Sequence, residues 1–311
     1  MAFDIVLTVL VLGVAAWTVA ARDTFAAVVG FIAFGLLVAL EWVRLAAPDV
    51  ALTEAALGSG LTGGLLLAAS TRLSRAGMTA AGETPGASLR VAAAVVCTLM
   101  TVELVSLLPL LPEPAPTLAT QAAANMAATG LQNPVTAVLM AYRAIDTLLE
   151  VVVLLLALFG MWSLGPDRLW GGLPYRSDLS DPDGPLTFVA QLLVPVGILV
   201  GIHIFWIGSV TPGGEFQGAT ILAAMWILAA VAGLVDAPAA SRRWLRLLLA
   251  AGPAVFFTIG LAGFAIAGSF LAYPASYAKL FILSIEIPLT LSIAATLALL
   301  VAGPPEREPQ R

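Results

Sequence analysis

EWVRLAAPDVALTEAALGSGLTGG, residues 41–64, sets Glu41, Arg44, Asp49 and Glu54 between long apolar runs. Ionisable groups in such surroundings are expensive, and they mark ion paths, proton relays or internal pairs. Pro48 suits the first position of a helix, because its missing N–H is one of the unpaired donors of a first turn. Asp49 then falls in that turn, where the helix dipole favours a negative charge. Thr53, four residues on, shares the Asp49 face, whereas Glu54 points elsewhere. Gly58, Ser59, Gly60, Gly63 and Gly64 are small enough to let another helix approach closely. Two readings fit the stretch: a polar turn between two membrane helices, or acids lining an ion path.

The surrounding chain decides the class. Of 311 residues, 60% are hydrophobic and 11% charged, against about 25% charged in soluble domains. The mean hydropathy is +1.00. The chain therefore reads as an all-α, polytopic membrane protein. A spanning helix needs about 20 mostly apolar residues, and nine stretches qualify: 3–21, 25–45, 48–70, 89–111, 135–164, 187–210, 216–235, 246–272 and 277–302. The first begins without a basic region or a well-placed cleavage site, so it reads as a retained helix rather than a signal peptide. Between the fourth and fifth, LPEPAPTLATQAAANMAATGLQN reads as an external loop with a short surface helix. The expected domains are 1–75, 88–164 and 187–303, with a polar cytoplasmic linker at 165–186 and a disordered tail at 304–311.

Basic residues orient the chain, because cytoplasmic loops are enriched in them. Arg22, Arg72, Arg75, Arg90, Arg168, Arg176, Arg242, Arg243, Arg246, Arg307 and Arg311 all fall in loops of one parity. With nine helices, this places the N-terminus outside and the C-terminus inside. Arg44, Arg143 and Lys279 are the exceptions. They sit at external helix ends, where they can pair with membrane carboxylates.

Two more charged stretches stand out. In NPVTAVLMAYRAIDTLLEVVVLLLALFG, residues 133–160, one helix would carry Arg143, Asp146 and Glu150 along one stripe. The stripe is either an ion path or a structural ion-pair ladder. Glu103, alone in the fourth helix, either extends that lane or lies half-solvated near its external end. In GIHIFWIGSVTPGGEFQGATILAAMW, residues 201–226, Gly213 and Gly214 permit positive φ and predict a tight external turn. Glu215 begins the next helix and Gly218 permits a close helix contact. His203 stands alone in an apolar helix, either as a hydrogen-bonded structural residue or as a relay. Glu286 lies two residues before Pro288 and is either a buried functional acid or a partner for a basic group on another subunit. One cysteine and one histidine leave this chain no Cys/His zinc site or iron–sulfur cluster of its own. No Walker-type phosphate loop occurs. No convergent nucleophile and base points to an enzyme.

The quoted stretches also carry a resemblance. APDVALTEAALGSGLTG, through Ala47, Pro48, Asp49, Val50, Ala51, Leu52, Thr53 and Glu54, resembles the signature of the domain at the C-terminal end of the large subunit of Mrp-type multisubunit sodium/proton antiporters. The same domain forms small subunits of related membrane-bound hydrogenases. Residues 133–160 are similar to the next domain of that large subunit, whose pattern reads roughly DFRxxDTxGE. Tyr142, Arg143, Asp146, Thr147 and Glu150 fit, while Ala141 and Leu149 replace its leading acid and its Gly. Residues 201–226 resemble the central motif of the MnhB-type subunit, GHxxPGGGFxxG, through Pro212, Gly213, Gly214, Phe216 and Gly218. There Glu215 replaces the third Gly and Ser209 stands near the place of the family's His, so that His's role is not carried to His203.

The resemblance implies a fusion of units that are often separate, without the lysine-bearing, complex-I-like pumping core. It implies a multi-pass subunit of a Na+/H+ antiporter in a prokaryotic plasma membrane, working with other membrane subunits on Na+ and H+ within the lipid bilayer. No enzyme chemistry, cofactor, metal or nucleic-acid partner is expected. The expected ion path comprises Glu41, Asp49, Glu54, Glu103, Arg143, Asp146 and Glu150. Arg44, Thr53, His203, Lys279 and Glu286 are secondary candidates. A redox-driven complex such as a membrane-bound hydrogenase, or a purely structural scaffold, are the rival readings.

Overall fold

A computed structural model describes residues 2–75, 86–112, 114, 116–174 and 184–307. The first two helices, α1 (Ala2–Ala20) and α2 (Thr24–Arg44), form an antiparallel hairpin. The turn between them is fixed by Asp23, whose carboxylate accepts the Ala26 N–H at 2.8 Å and caps α2. At the other end Arg44 pairs with Asp4 at 2.7 Å, so its partner comes from its own hairpin.

The next crossing is one continuous rod with a change of winding. It starts as α3 (Pro48–Thr53), passes through a π-helical segment (Glu54–Leu61) and continues as α4 (Thr62–Arg75). The π segment coincides with EAALGSGL, where the glycines remove the side chains that hold a regular helix tight. It packs on α2. A Cβ on Gly35 would meet the Ser59 hydroxyl, and one on Gly63 would meet Ile32.

Helix α5 (Ala87–Leu107) buries none of its residues within the chain, and Glu103 on it is exposed. A short helix, α6 (Ala119–Thr129), lies in the loop that follows. The fifth crossing departs from the single helix expected. It opens as α7 (Pro134–Ala137), widens into a π turn (Val138–Tyr142) and breaks at Arg143, with φ −130° and ψ 35°, before α8 (Ala144–Ser163). The break is stabilised from both sides. The Thr147 hydroxyl donates to the Leu139 carbonyl at 2.8 Å, and the Tyr142 hydroxyl donates to the Ala122 carbonyl at 2.7 Å.

Four helices complete the fold: α9 (Pro185–Ile207), α10 (Glu215–Val231), α11 (Arg243–Ala267) and α12 (Ala278–Ala302). Eight helices among the described residues are long and apolar enough to cross a membrane, and Glu215–Val231 is a ninth, shorter apolar helix. The chain is thus an all-α, polytopic membrane protein. The seventh stretch, expected to run to 235, stops at Val231 because Gly233 turns left-handed at φ 74°, which a glycine adopts without strain.

The core is built on α12. Ile282, Ile285, Leu289, Ile293 and Leu297 form its buried stripe, against Met140, Leu148 and Val151 from the fifth crossing, Ala219 and Ala223 on α10, and Phe256 on α11. Within a bilayer this packing is favoured by close van der Waals contact rather than by escape from water. The tail expected to be disordered from 304 is instead held over its first residues. Pro305–Arg307 (β2) pairs antiparallel with Leu173–Pro174 (β1), and Arg307 donates to the Pro174 carbonyl at 3.2 Å. Arg72 braces the same end, donating to the Ala302 carbonyl at 3.0 Å and pairing with Glu306 at 3.6 Å. Residues 308–311, and 175–183 of the linker, lie outside the described residues.

Candidate functional site

Three helix starts converge on the turn between α9 and α10. Gly213 and Gly214 have φ of 146° and 137°, so only glycine holds this path without strain. The turn exposes the Gly213 N–H inward, and Asp49 on the first turn of α3 accepts it at 3.0 Å through Oδ1. The same oxygen accepts Asn133 Nδ2–H at 3.2 Å, and Asn133 also donates to the Thr211 carbonyl at 3.0 Å. Asn133 Oδ1 in turn caps α7 by accepting the Val135 N–H at 2.9 Å. The Thr136 hydroxyl donates to the Gly208 carbonyl at 2.6 Å, and Gln217 Nε2 donates to the Thr53 hydroxyl at 3.1 Å. Asp49 is buried at 6% exposure and fully engaged. One carboxylate thus ties together segments from all three expected domains.

A pair of acids follows the turn. Glu215, the first residue of α10, and Glu286 of α12 are hydrogen-bonded to each other and are 5% and 4% exposed. Glu150 of α8 is close enough for its charge to act on Glu215, and Lys279 is close enough to act on Glu286. Tyr273, in the loop before α12, stacks on Phe281 at 6.2 Å, and its hydroxyl is buried without a hydrogen-bond partner among the described residues. Burial, reinforced by the nearby Glu286 charge, pushes its phenol up to about 12. Tyr273 therefore keeps its proton and is available as a hydrogen-bond donor.

The structure gathers some of the expected site residues and separates others. Asp49, Thr53, Pro48, Pro212, Gly213, Gly214, Phe216 and Gly218 belong to the three-way junction or flank it. A Cβ on Gly218 would sit 2.8 Å from the Gly201 carbonyl oxygen, so this glycine sets the α9–α10 approach. Arg143 and Asp146 pair with each other on an exposed face of the fifth crossing, and Glu150 is exposed as a residue. Glu54 is half-buried against Gly58 on the π segment, and Glu41 is half-buried on α2. Glu103 and His203 are exposed. A single lane through all of the acids is therefore not assembled by this chain's own helices. Sequence reasoning passed over Glu215 and Asn133 as site residues. Both left a signal: a charged residue where the resembling motif has Gly, and an Asn-Pro pair, which caps and starts a helix.

A cavity of about 660 Å³ lies at the opposite ends of α4, α10 and α12, lined by groups such as Leu67, Trp226 and Ala298 and edged by Arg72 and Asp236. It is remote from both acid clusters.

Comparison with known proteins accounts for this layout. Residues 9–75 match the MbhD family, described as a subunit of MBH, and residues 185–303 match the "Domain related to MnhB subunit of Na+/H+ antiporter". The chain thus carries a stretch similar to MbhD ahead of one similar to the MnhB-related domain. The first match takes in most of α1 and all of α2–α4, and the second takes in α9–α12. An uncharacterized protein of Methanocaldococcus jannaschii is 30% identical over 156 residues, 45% of this chain and 60% of its own length. Among solved structures, the Mrp complex from Dietzia sp. DQ12-45-1b is similar with a TM-score of 0.75 and 25% identity, over 98% of this chain and 35% of that one. The membrane-bound sulfane sulfur reductase, an archaeal respiratory membrane complex, is similar with a TM-score of 0.56 and 26% identity, over 68% of this chain and 96% of that one. The chain thus spans less than two thirds of the curated relative and about a third of the Mrp chain.

Proposed function

We propose that this chain is a membrane subunit of a multisubunit Na+/H+ antiporter, without catalytic chemistry of its own, in the plasma membrane of a prokaryote. The observation that carries the reading is the likeness to one chain of an Mrp complex over 98% of this chain, which takes in the MbhD domain, the MnhB-related domain and the stretch between them together. In this reading Asp49 is the latch between domains. Glu41, Glu54, Glu103, Asp146 and Glu150, with Arg143 paired to Asp146, contribute separate segments of an ion path that neighbouring subunits complete. Support comes from cost. A charge facing lipid at a helix centre costs about 3 kcal/mol on the mildest scale, so the exposed Arg143–Asp146 pair and Glu150 call for a partner surface.

The test is the whole complex, expressed with this chain in a host lacking its own sodium/proton antiporters and assayed in everted vesicles. Added sodium should release protons when the chain is present and not when it is deleted. Asp146→Asn and Glu150→Gln should lower exchange while the complex still assembles. Normal exchange in assembled variants would remove these acids from the path. Exchange that persists after deletion of the chain would overturn the reading. The MbhD match and the likeness to the sulfur reductase favour one rival, a membrane arm of a redox-driven complex. Co-purification of iron–sulfur subunits would decide for it.

A further inference from the structure

We infer that Glu215 and Glu286 form a proton-binding site buried inside the MnhB-related domain, near the buried hydroxyl of Tyr273. The inference deepens the proposed antiporter role and rests on it for its transport consequences only. Neither acid belongs to the expected charged lane of the first five helices.

Two touching carboxyl groups need a proton between them. They hydrogen-bond only if one of them carries it, because two carboxylates have acceptors and no donor. Glu215 and Glu286 make this bond with both residues almost fully buried. The elements around them offer little to replace the proton. From α8 comes Glu150, another acid; from α3 comes Asp49, already engaged with Gly213 and Asn133. From the first turn of α12 comes Lys279, an exposed cation that acts on Glu286 without an ion pair to it. Independent of the acids, the Tyr273 hydroxyl is buried beside Glu286 with no acceptor of its own. An unused donor there is where a carboxylate or an entering water would be received.

The proton balance is simple. A hydronium ion gives up its proton and becomes water. The pair gains it and passes from two charges to one, with Glu215 and Glu286 sharing the hydrogen. Loss of the proton to water restores the two charges. The fold makes this possible at one place. The Gly213–Gly214 turn sets Glu215 at the very start of α10, and α12, the most buried of the spanning helices, brings Glu286 against it.

The test uses the purified complex containing the full chain, with Glu215→Gln and Glu286→Gln made singly. Glutamine keeps the shape and can donate to the remaining carboxylate, so a purely structural bond survives while the proton site does not. Infrared spectroscopy at neutral pH should show the carbonyl stretch of a protonated carboxyl in the wild type, diminished in each variant. Exchange in everted vesicles should fall about tenfold or more in each. A carbonyl band unchanged in both variants overturns the inference, as does wild-type exchange with a wild-type pH profile in both assembled variants. If the wild-type complex itself exchanges no sodium for protons, the antiporter reading fails, and the infrared result still decides the proton site.

Discussion

Asp49 and Glu215 are both buried acids near the start of a helix, and their neighbours give them different work. Asp49 faces two donors, the Gly213 N–H and the Asn133 amide, so it fixes a geometry. Glu215 faces another acid. A hydrogen bond to a charged group contributes about 1.5–3 kcal/mol. Asp49→Ala, which strands both donors, should therefore lower stability by about 3 kcal/mol, read as an earlier thermal unfolding of the purified complex. Asp49→Asn keeps an acceptor for Gly213 and should cost about 1 kcal/mol. Equal midpoints for the wild type and both variants would show that Asp49 latches nothing. The sequence marked Asp49 through the residue before it, because proline and an acid together announce a first turn. It could not name Asn133 and Gly213 as partners 84 and 164 residues away.

Among the elements, the pair α9–α10 shows how a small residue fixes an interface. Gly218 lies against the Gly201 carbonyl and Phe205, where an added Cβ would fall within 2.8 Å of both. Gly218→Ala should push the two helices apart and cost about 1–3 kcal/mol, as overpacking does. Because α10 carries Glu215 and Gln217, the same change should loosen the junction. Crosslinking yield between cysteines placed at Thr53 and Gln217, whose side chains touch across it, would report this. An unchanged yield would contradict the close approach. The boundaries of most helices were legible from hydropathy alone. The break at Arg143 was not, because residues 138–142 are as apolar and helix-compatible as their neighbours. What opens the helix there is a set of tertiary and cross-turn bonds, from Thr147 to Leu139 and from Tyr142 to Ala122.

At the scale of the whole molecule, orientation depends on whether α10 crosses. Its 17 residues reach about 26 Å at 1.5 Å per residue, slightly short of a hydrocarbon core of about 30 Å. A helix packed between α9 and α12 is held by its neighbours and does not have to match the bilayer as a lone helix does. With α10 counted, nine crossings and the arginine bias predict an external N-terminus. An impermeant maleimide should then label Thr120→Cys from the external side only and Arg168→Cys from the cytoplasmic side only, in a Cys97→Ser background. Labelling of position 120 from the cytoplasm alone would invert the topology.

The sequence by itself determined that this is a polytopic helical membrane protein. Hydropathy and charge are summed along the chain and need no partner to be read. It determined the tight turn at Gly213–Gly214 and the helix start at Pro48 for the same reason, since both follow from the backbone preferences of single residues. Only the tertiary structure decided which acid meets backbone and amide donors and which meets another acid. A carboxyl group's role depends on what lies within a hydrogen bond of it, and for Glu215 that group is Glu286, on a different helix and 71 positions away in the chain.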